Sequence, residues 1–529
     1  MVARREIRRR NFDAAHFVPS LSDDGSAHCC PHFDGQVVVN DIRFEILVPG
    51  DAQEDLPVAH RLVKLSDGDD EPMVSPWHVV LRDEQAERVL DEVQLELELA
   101  PLFVRVETNG EFDTRYQRED LDDLFTDDVV ETDASVFRAP IYRRAGDLDG
   151  LDIVEATTDL LRLISMINDR LPIEHSSIAT EACPCCGCEV EIATSITPSA
   201  AAPVYGLLSS QRTHPSEDVE STTPVNAPVS TAGPTRPARV TIIDTGLALS
   251  RAWNLPIGVK QPDSLLSAIA PKNTYLGYAA GHGTFIAGVV HQRAPGAVID
   301  VMSAATPDGL VSELRLVAQI DGLGKPGTPA PDVLILSMGG FAVKPGTLGL
   351  KDAVTGAPVV PTALRSALVA LVQRLPGLVI VASAGNDGTV DPCYPAAFTL
   401  DSDRAFATHI VAVSAVDLSG HRASFANYGP WVSASALGTS LRSIYAEGTE
   451  HPLNEPDMAP ETFRGPSYAR WSGTSFSAPI VAGAIAQEIM VSASKLTGVA
   501  AWAAVKSRAP KARDFGMGVA VDVGAVAHD

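Results

Sequence analysis

The chain has 529 residues, 45% hydrophobic and 20% charged, with 40 Gly and 38 Pro. Those proportions belong to a folded protein of two or three domains and exclude collagen, coiled coil and wholesale disorder. The formal net charge of −26 is uneven: residues 1–200 hold 18 Lys and Arg against 42 Asp and Glu, and residues 201–529 hold 23 against 25. An acidic front and a nearly neutral back speak for two modules, and against a nucleic-acid binder, which needs a basic face. The acidity serves solubility; the sharper reading is a regulatory protein partner at the acidic module.

Residues 1–195 form the acidic module. Arg9-Arg10-Asn11-Phe12 looks like an export signal. The sequence after it, Asp13-Ala14-Ala15-His16, lacks the apolar core that export requires, so the expected location is the cytoplasm. No run of about 18 apolar residues occurs, and no membrane span is expected. Val93, Leu95, Leu97 and Leu99 alternate with Gln94, Glu96 and Glu98, which predicts a half-buried strand. A second strand is predicted at Phe103–Glu107, followed by the hairpin signal Asn109-Gly110. Leu160, Leu161, Ile164, Ile167 and Leu171 recur at helical spacing within Ile153–Leu171. The module is expected to be α+β.

Residues 196–236 are rich in Ser, Thr, Pro and Ala and read as a linker. From residue 237 to 529 short apolar runs alternate with helical stretches. The runs are Val240–Ile243, Val298–Met302, Val333–Leu336, Leu378–Val381 and Ile410–Val413. They suit strands buried on both faces, so the expected fold is α/β with a doubly wound, mostly parallel sheet. In such a sheet chemistry lies beyond the carboxyl ends of the strands.

The strings found there carry chemistry. Asp244-Thr245-Gly246 ends the first run. An aspartic protease would need a second such string, and the chain has none. Gly281-His282-Gly283-Thr284 opens an apolar helix, and glycines beside a histidine let a substrate come close. Ala382-Ser383-Ala384-Gly385-Asn386 follows a strand, where an amide N–H can meet an oxyanion. Gly473-Thr474-Ser475-Phe476-Ser477-Ala478-Pro479 opens another helix, whose N-terminus favours developing negative charge. Each string alone also fits a turn or a cap. The Gly322–Gly327 match to a dinucleotide fingerprint lacks the strand before it and the helix after it.

Together the four strings, in the order Asp, His, Asn, Ser, resemble the signatures of the subtilisin-like serine peptidases. Leu336-Ser337-Met338-Gly339-Gly340, Tyr394-Pro395-Ala396 and Gly516-Met517-Gly518 extend the likeness over about residues 238–525. The resemblance implies a subtilisin-like fold and a serine endopeptidase acting on proteins or peptides. It implies Ser475 as nucleophile, His282 as general base and Asp244 as the group orienting the histidine. It further implies Asn386 and the Ser475 backbone N–H as oxyanion donors, and Ser337, Met338 and Gly339 as a strand that binds substrate. Catalysis by such a triad needs no cofactor. Family members often bind calcium, but no ligand set maps onto this sequence. Phe341–Leu364 and Glu447–Pro466 read as insertions near the cleft. The front module does not resemble the family's short propeptide. It is read as a regulatory or recruiting module, with an inhibitory segment cut from the enzyme at the linker as a further reading. The alternative from another class is a scaffold with this fold and no turnover.

Six of the seven cysteines lie in the acidic module. Cys183, Cys185, Cys186 and Cys188 make two overlapping C-x-x-C pairs, and Cys29 and Cys30 sit between His28 and His32. Structural zinc, a redox thiol cluster and unliganded thiols all fit this pattern. Cys393 is expected to be buried.

Overall fold

The computed structural model describes residues 62–65, 72–96, 103–105, 141–145, 151–171, 177–182, 189–209, 215–217, 236–247, 276–277, 279–306, 309–343, 359–450, 461–464, 468–492 and 495–522. The cysteine cluster, Arg9–Phe12 and Asn109-Gly110 lie outside them.

The front module runs β1 (Val63–Lys64), β2 (Met73–Leu81), α1 (Glu84–Glu96), β3 (Phe103–Arg105), β4 (Ile141–Arg144), α2 (Ile153–Arg170), β5 (Ser177–Ala182), β6 (Glu189–Ser195) and β7 (Ala201–Leu208). Its sheet has the order β7-β2-β4-β3, with antiparallel neighbours, and β1 also pairs with β2. Both helices bury an apolar stripe against it: Ala86, Leu90 and Val93 from α1, and Leu160, Ile164 and Ile167 from α2. The module is thus α+β, with a β-α-β-β-α-β order once β1 and the β5–β6 hairpin are set aside.

One expected strand is a helix. The alternation from Val93 predicts a strand, yet the chain is helical to Glu96. Ala86, Leu90 and Val93 are fully buried at helical spacing, whereas Leu95 is 81% exposed. Asp83 accepts the Ala86 N–H at 3.0 Å and caps the first turn. Burial of three side chains on one helical face outweighs an alternation whose second member faces water. Leu97 and Leu99 are outside the described residues.

The second body contains β8 (Ser216–Glu217), β9 (Arg239–Asp244), α3 (His282–Arg293), β10 (Val298–Ser303), β11 (Leu310–Ser312), α4 (Glu313–Gly322), β12 (Val333–Leu336), β13 (Gly340–Phe341) and α5 (Thr362–Arg374). It continues with β14 (Val379–Ser383), β15 (Cys393–Tyr394), α6 (Arg404–Ala407), β16 (Ile410–Val416), β17 (Ala434–Leu437), β18 (Leu441–Ile444), β19 (Gly448–Glu450), β20 (Glu461–Phe463), β21 (Tyr468–Trp471), α7 (Thr474–Val491), α8 (Gly498–Arg508) and β22 (Val519–Ala520). Seven strands form one sheet in the order β10-β9-β12-β14-β16-β17-β22, every neighbouring pair parallel. The five apolar runs are five of its strands.

Alternate side chains of each strand enter different layers. Val333, Ile335, Val379 and Val381 pack with α3, α7 and α8 on one face. Leu334, Leu336, Ile380 and Ala382 pack with α4 and α5 on the other. The sheet is doubly wound. Helix α7 is long and apolar enough to cross a membrane by length and composition, but 78% of it is buried inside the protein. It is the central helix of the core.

The segment read as a linker opens with structure. Residues 201–208 are an eight-residue, mostly apolar run, which suits a strand buried on both faces. They form β7, with Val204, Tyr205 and Leu207 buried. One edge of β7 pairs with β2, and the other pairs antiparallel with β11: Leu310↔Leu208, Val311↔Leu207 and Ser312↔Gly206. The front sheet therefore continues into the second body. Further on, Arg236 forks onto both oxygens of Asp332 at 2.8 Å and fixes the start of the second body.

Leu207 is fully buried in one cluster with Leu316, Ile320, Met338 and Val360. Leu207→Ala is expected to lower stability by about 2–5 kcal/mol, seen as a lower urea midpoint. An unchanged midpoint would contradict this packing.

Candidate active site

Asp244 is the last residue of β9 and is fully buried. Its Oδ1 and Oδ2 lie 2.8 and 3.0 Å from His282 Nδ1. The Thr245 N–H also donates to Oδ1, at 2.7 Å, so the carboxylate is held from two sides. His282 opens α3 and is 1% exposed. The helix start is locked to the strand end: the Gly283 N–H donates to Thr245 Oγ1 at 3.0 Å. A Cβ on Gly283 would stand 2.5 Å from the Gly246 carbonyl, so only glycine permits this approach. Trp471 meets the His282 ring edge-on at 5.3 Å, and Phe476 packs on it at 5.2 Å.

Ser475 is the second residue of α7 and is 4% exposed. Its hydroxyl lies 3.4 Å from the Ser209 carbonyl oxygen and 3.5 Å from that of Ser337, as a donor to both. No hydrogen bond joins it to His282 in this arrangement. Phe476, next to Ser475 in the chain, packs on the histidine ring.

Asn386 follows β14 across Gly385, whose φ is +99°. Its Oδ1 accepts from the Thr474 N–H at 2.8 Å and from Thr474 Oγ1 at 2.9 Å. Thr474 Oγ1 in turn accepts the Gly385 N–H at 3.1 Å. Two donors on Oδ1 set the amide's orientation and turn Nδ2 toward Gly473, at the mouth of α7.

Ser337, Met338 and Gly339 follow β12. Ser337 Oγ donates to the Ser475 carbonyl at 3.0 Å. Gly339 exchanges two 3.0 Å hydrogen bonds with Leu208, N–H to carbonyl in both directions. Met338 packs in the cluster that holds Leu207. The Ser209 N–H donates to the Gly309 carbonyl at 2.8 Å. An extended piece of the chain, 201–209, thus lies between β11 and Gly339 and ends against Ser475. All seven residues singled out in the sequence stand around this one place.

Two contributors were not singled out. The Ser209 segment sat inside a stretch whose Ser, Thr, Pro and Ala content masks its apolar run. Glu313, the first residue of α4, is fully buried, with Oε2 accepting the Tyr205 N–H and Oε1 the Leu364 N–H, both at 2.8 Å. It ties β7 to the N-terminus of α5, where a helix dipole favours an anion. No sequence signal marks a carboxylate whose donors lie more than 50 residues away. Burial pushes its pKa up to about 7, against the opposing effect of its backbone donors. Burial also pushes the Cys393 thiol up. Among the described residues, no three His, Cys, Asp or Glu gather to hold a metal ion.

A model of the subtilase family, Peptidase_S8, matches residues 237–518. Mycosin-4 of Mycobacterium tuberculosis is 26% identical over 272 residues, which cover 46% of this chain and 54% of that protein. The chain therefore spans about half of that relative's length. Subtilisin BL of Lederbergia lenta is 27% identical over 248 residues, 47% of this chain and 74% of that protein. Among solved structures, a cold adapted subtilisin-like serine proteinase aligns at 19% identity with a TM-score of 0.38, over 59% of this chain and 93% of that one.

Thr474→Val would remove one of the two donors to Asn386 Oδ1 and the buried acceptor of the Gly385 N–H. It is expected to cost about 1–3 kcal/mol, measured by chemical unfolding. The folded state holds the Glu313 proton more tightly than the unfolded chain, where the ordinary value is 4.5. That stabilisation is full below about pH 4.5 and is lost as pH rises through 7. Glu313→Gln should therefore shrink the difference in Tm between pH 5 and pH 8; an unaltered difference would mean that Glu313 does not titrate there.

Proposed function

The chain belongs to the subtilase family, and we propose that it is a serine endopeptidase whose cleft is occupied by its own β7 strand. The observation that carries this reading is one juxtaposition. A buried Asp244–His282 pair packs on Phe476, the neighbour of Ser475 at a helix N-terminus, and the chain's own Ser209 carbonyl oxygen is 3.4 Å from the Ser475 hydroxyl.

In this reading Ser475 Oγ bonds to the carbonyl carbon of the scissile peptide, and its proton passes to His282. Asp244 holds the ring with Nδ1 as the donor and stabilises the imidazolium. The Ser475 backbone N–H and Asn386 Nδ2 receive the oxyanion. The C–N bond then breaks as His282 returns the proton to the departing amine. Water, deprotonated by the same histidine, releases the acyl group and restores Ser475. Substrates are proteins or peptides in extended form, hydrogen-bonded as a strand to Gly339 and β11. The front module acts first on its own second body. It fills the acyl side of the cleft and is the first substrate, cut just after Ser209 or Ser210.

The test is the full chain beside Ser475→Ala, followed by intact mass and by labelling with a fluorophosphonate. The wild type should cut itself between Ser209 and Pro215 and then label; the alanine variant should do neither. A folded wild type that stays intact and unlabelled would sink the reading and favour a scaffold without turnover. An uncut but fully active wild type would sink the occupied-cleft part alone. Asp244→Asn should slow self-cleavage by roughly 10⁴-fold. Asn386→Ala should slow it by about 100- to 1000-fold, the cost of losing one such donor.

A further inference from the structure

Asp244 holds the His282 imidazole at one atom, Nδ1. A ring held at one atom still swings, so the rest of its placement comes from packing. Part of that packing arrives on a two-stranded arm. β18 and β21 pair antiparallel, with Leu441↔Trp471 and Ile444↔Tyr468. Beyond them β19 and β20 pair in the same sense, with Gly448↔Phe463 and Glu450↔Glu461. This second ladder lies in the stretch read as an insertion, Glu447–Pro466. The arm is fastened to α3, the helix that His282 opens, and to the chain just before it. Ser443 Oγ donates to the Phe285 carbonyl at 2.7 Å, and Gln292 Nε2 donates to the Arg442 carbonyl at 3.1 Å. The Leu276 N–H donates to the Thr449 carbonyl at 2.9 Å.

Tyr445 stands between the two ladders and is fully buried. Phe463 of the insertion packs on its ring at 4.4 Å. Trp471, which meets the His282 ring at 5.3 Å, meets the Tyr445 ring edge-on at 5.8 Å. Gly281, directly before His282, also lies against this ring: a Cβ there would overlap the ring carbons Cδ2, Cε2 and Cζ. Gly281 has a φ of −88°, which any residue adopts. The ring, and not the backbone, therefore excludes a side chain at this position. One aromatic ring braces both the residue behind His282 and the indole beside its imidazole.

We infer that Tyr445 is a positioning residue for His282, fixing the place and tilt at which the imidazole faces the nucleophile, with the inserted Phe463 as its support. The inference rests on the peptidase reading and deepens it. A displacement of about 1 Å at a reacting group costs roughly 100-fold in rate. Tyr445 is closed off from solvent, so its loss falls on kcat and not on KM.

The experiment uses the self-processed full chain, a quenched-fluorescent peptide with the sequence of residues 203–216, and fluorophosphonate titration to count active sites. Tyr445→Ala should lower kcat per titrated site by roughly 10- to 100-fold, with KM within about twofold. Tyr445→Phe keeps the ring and should restore kcat. Gly281→Ala drives a methyl group into the ring and should show a similar loss. Joined to Tyr445→Ala it should add little, because the two changes act through one contact. Where Tyr445→Ala does not fold, Tyr445→Leu keeps most of the apolar volume and takes its place in both comparisons. A lower Tm with kcat per site unchanged would make Tyr445 a core residue alone and overturn the inference, as would losses that multiply in the double variant. A wild type that neither hydrolyses the peptide nor labels would instead overturn the peptidase reading. The positioning is then read without chemistry in the Ser475→Ala chain, from the proton NMR signal of His282 Nδ1–H held by Asp244. Tyr445→Ala should shift that signal and Tyr445→Phe should not; a signal that both leave in place would overturn the inference.

Discussion

A strand in the interior of a protein must satisfy the hydrogen-bonding groups of both its edges, and β7 does so with partners from two bodies. Its one edge completes the antiparallel sheet of the front module through β2. Beyond β2 that edge passes to Gly339 of the second body, and the opposite edge is taken by β11. Removing either body would leave a row of amides and carbonyls with water alone as partner, forfeiting about 0.5–1.5 kcal/mol per hydrogen bond. The side chains reinforce the constraint: Leu207 and Val204 share a core with α4 and α5, and Glu313 takes the Tyr205 N–H. The two modules that differ so much in charge are thus one hydrogen-bonded object at this strand.

The same strand passes the place where the residues singled out in the sequence meet. Asp244, Ser337 and Asn386 lie at or just beyond the carboxyl ends of parallel strands, and His282 and Ser475 open helices that pack on that sheet. Strand ends and helix starts meet at one edge of a doubly wound sheet, so five residues far apart in sequence converge there. β7 crosses this edge paired with β11 on one side and with Gly339 on the other. Helix dipoles and close glycines do the fine positioning. Gly283 admits the Gly246 carbonyl, and Thr474 links Asn386 to Gly385.

Most of the second body was legible from the sequence. Its parallel strands are short, apolar and buried on both faces, so Val240–Ile243 or Val333–Leu336 announce themselves without tertiary context. The site strings were legible because close approach leaves small residues beside each reactive side chain. The failures share one physical cause, which is that long-range pairing leaves no local trace. Val93 and Leu95 alternate like a strand, but the register of Ala86, Leu90 and Val93 against the sheet makes them helical. The Val204–Leu208 run was dissolved in a Ser, Thr and Pro composition, and its partners at Leu310 and Gly339 are more than 100 residues away. Glu313 reads as an ordinary acidic residue at a helix start, and only the fold reveals that it is buried and bridges two modules.

The double pairing of β7 has a consequence for time and concentration. A break in the chain beside Ser209 would change its connectivity without removing a single hydrogen bond of β7 to β2, β11 or Gly339. Covalent cutting and physical opening are then separate events with different rate laws. On the proposed self-cleavage, the first would be a reaction of one molecule with itself, first order and indifferent to dilution. The second is the parting of two folded pieces, slow because Leu207 and Tyr205 must leave their burial, and reversible in proportion to how many pieces remain nearby. A crowded population of cut molecules would stay shut, and a dilute one would open.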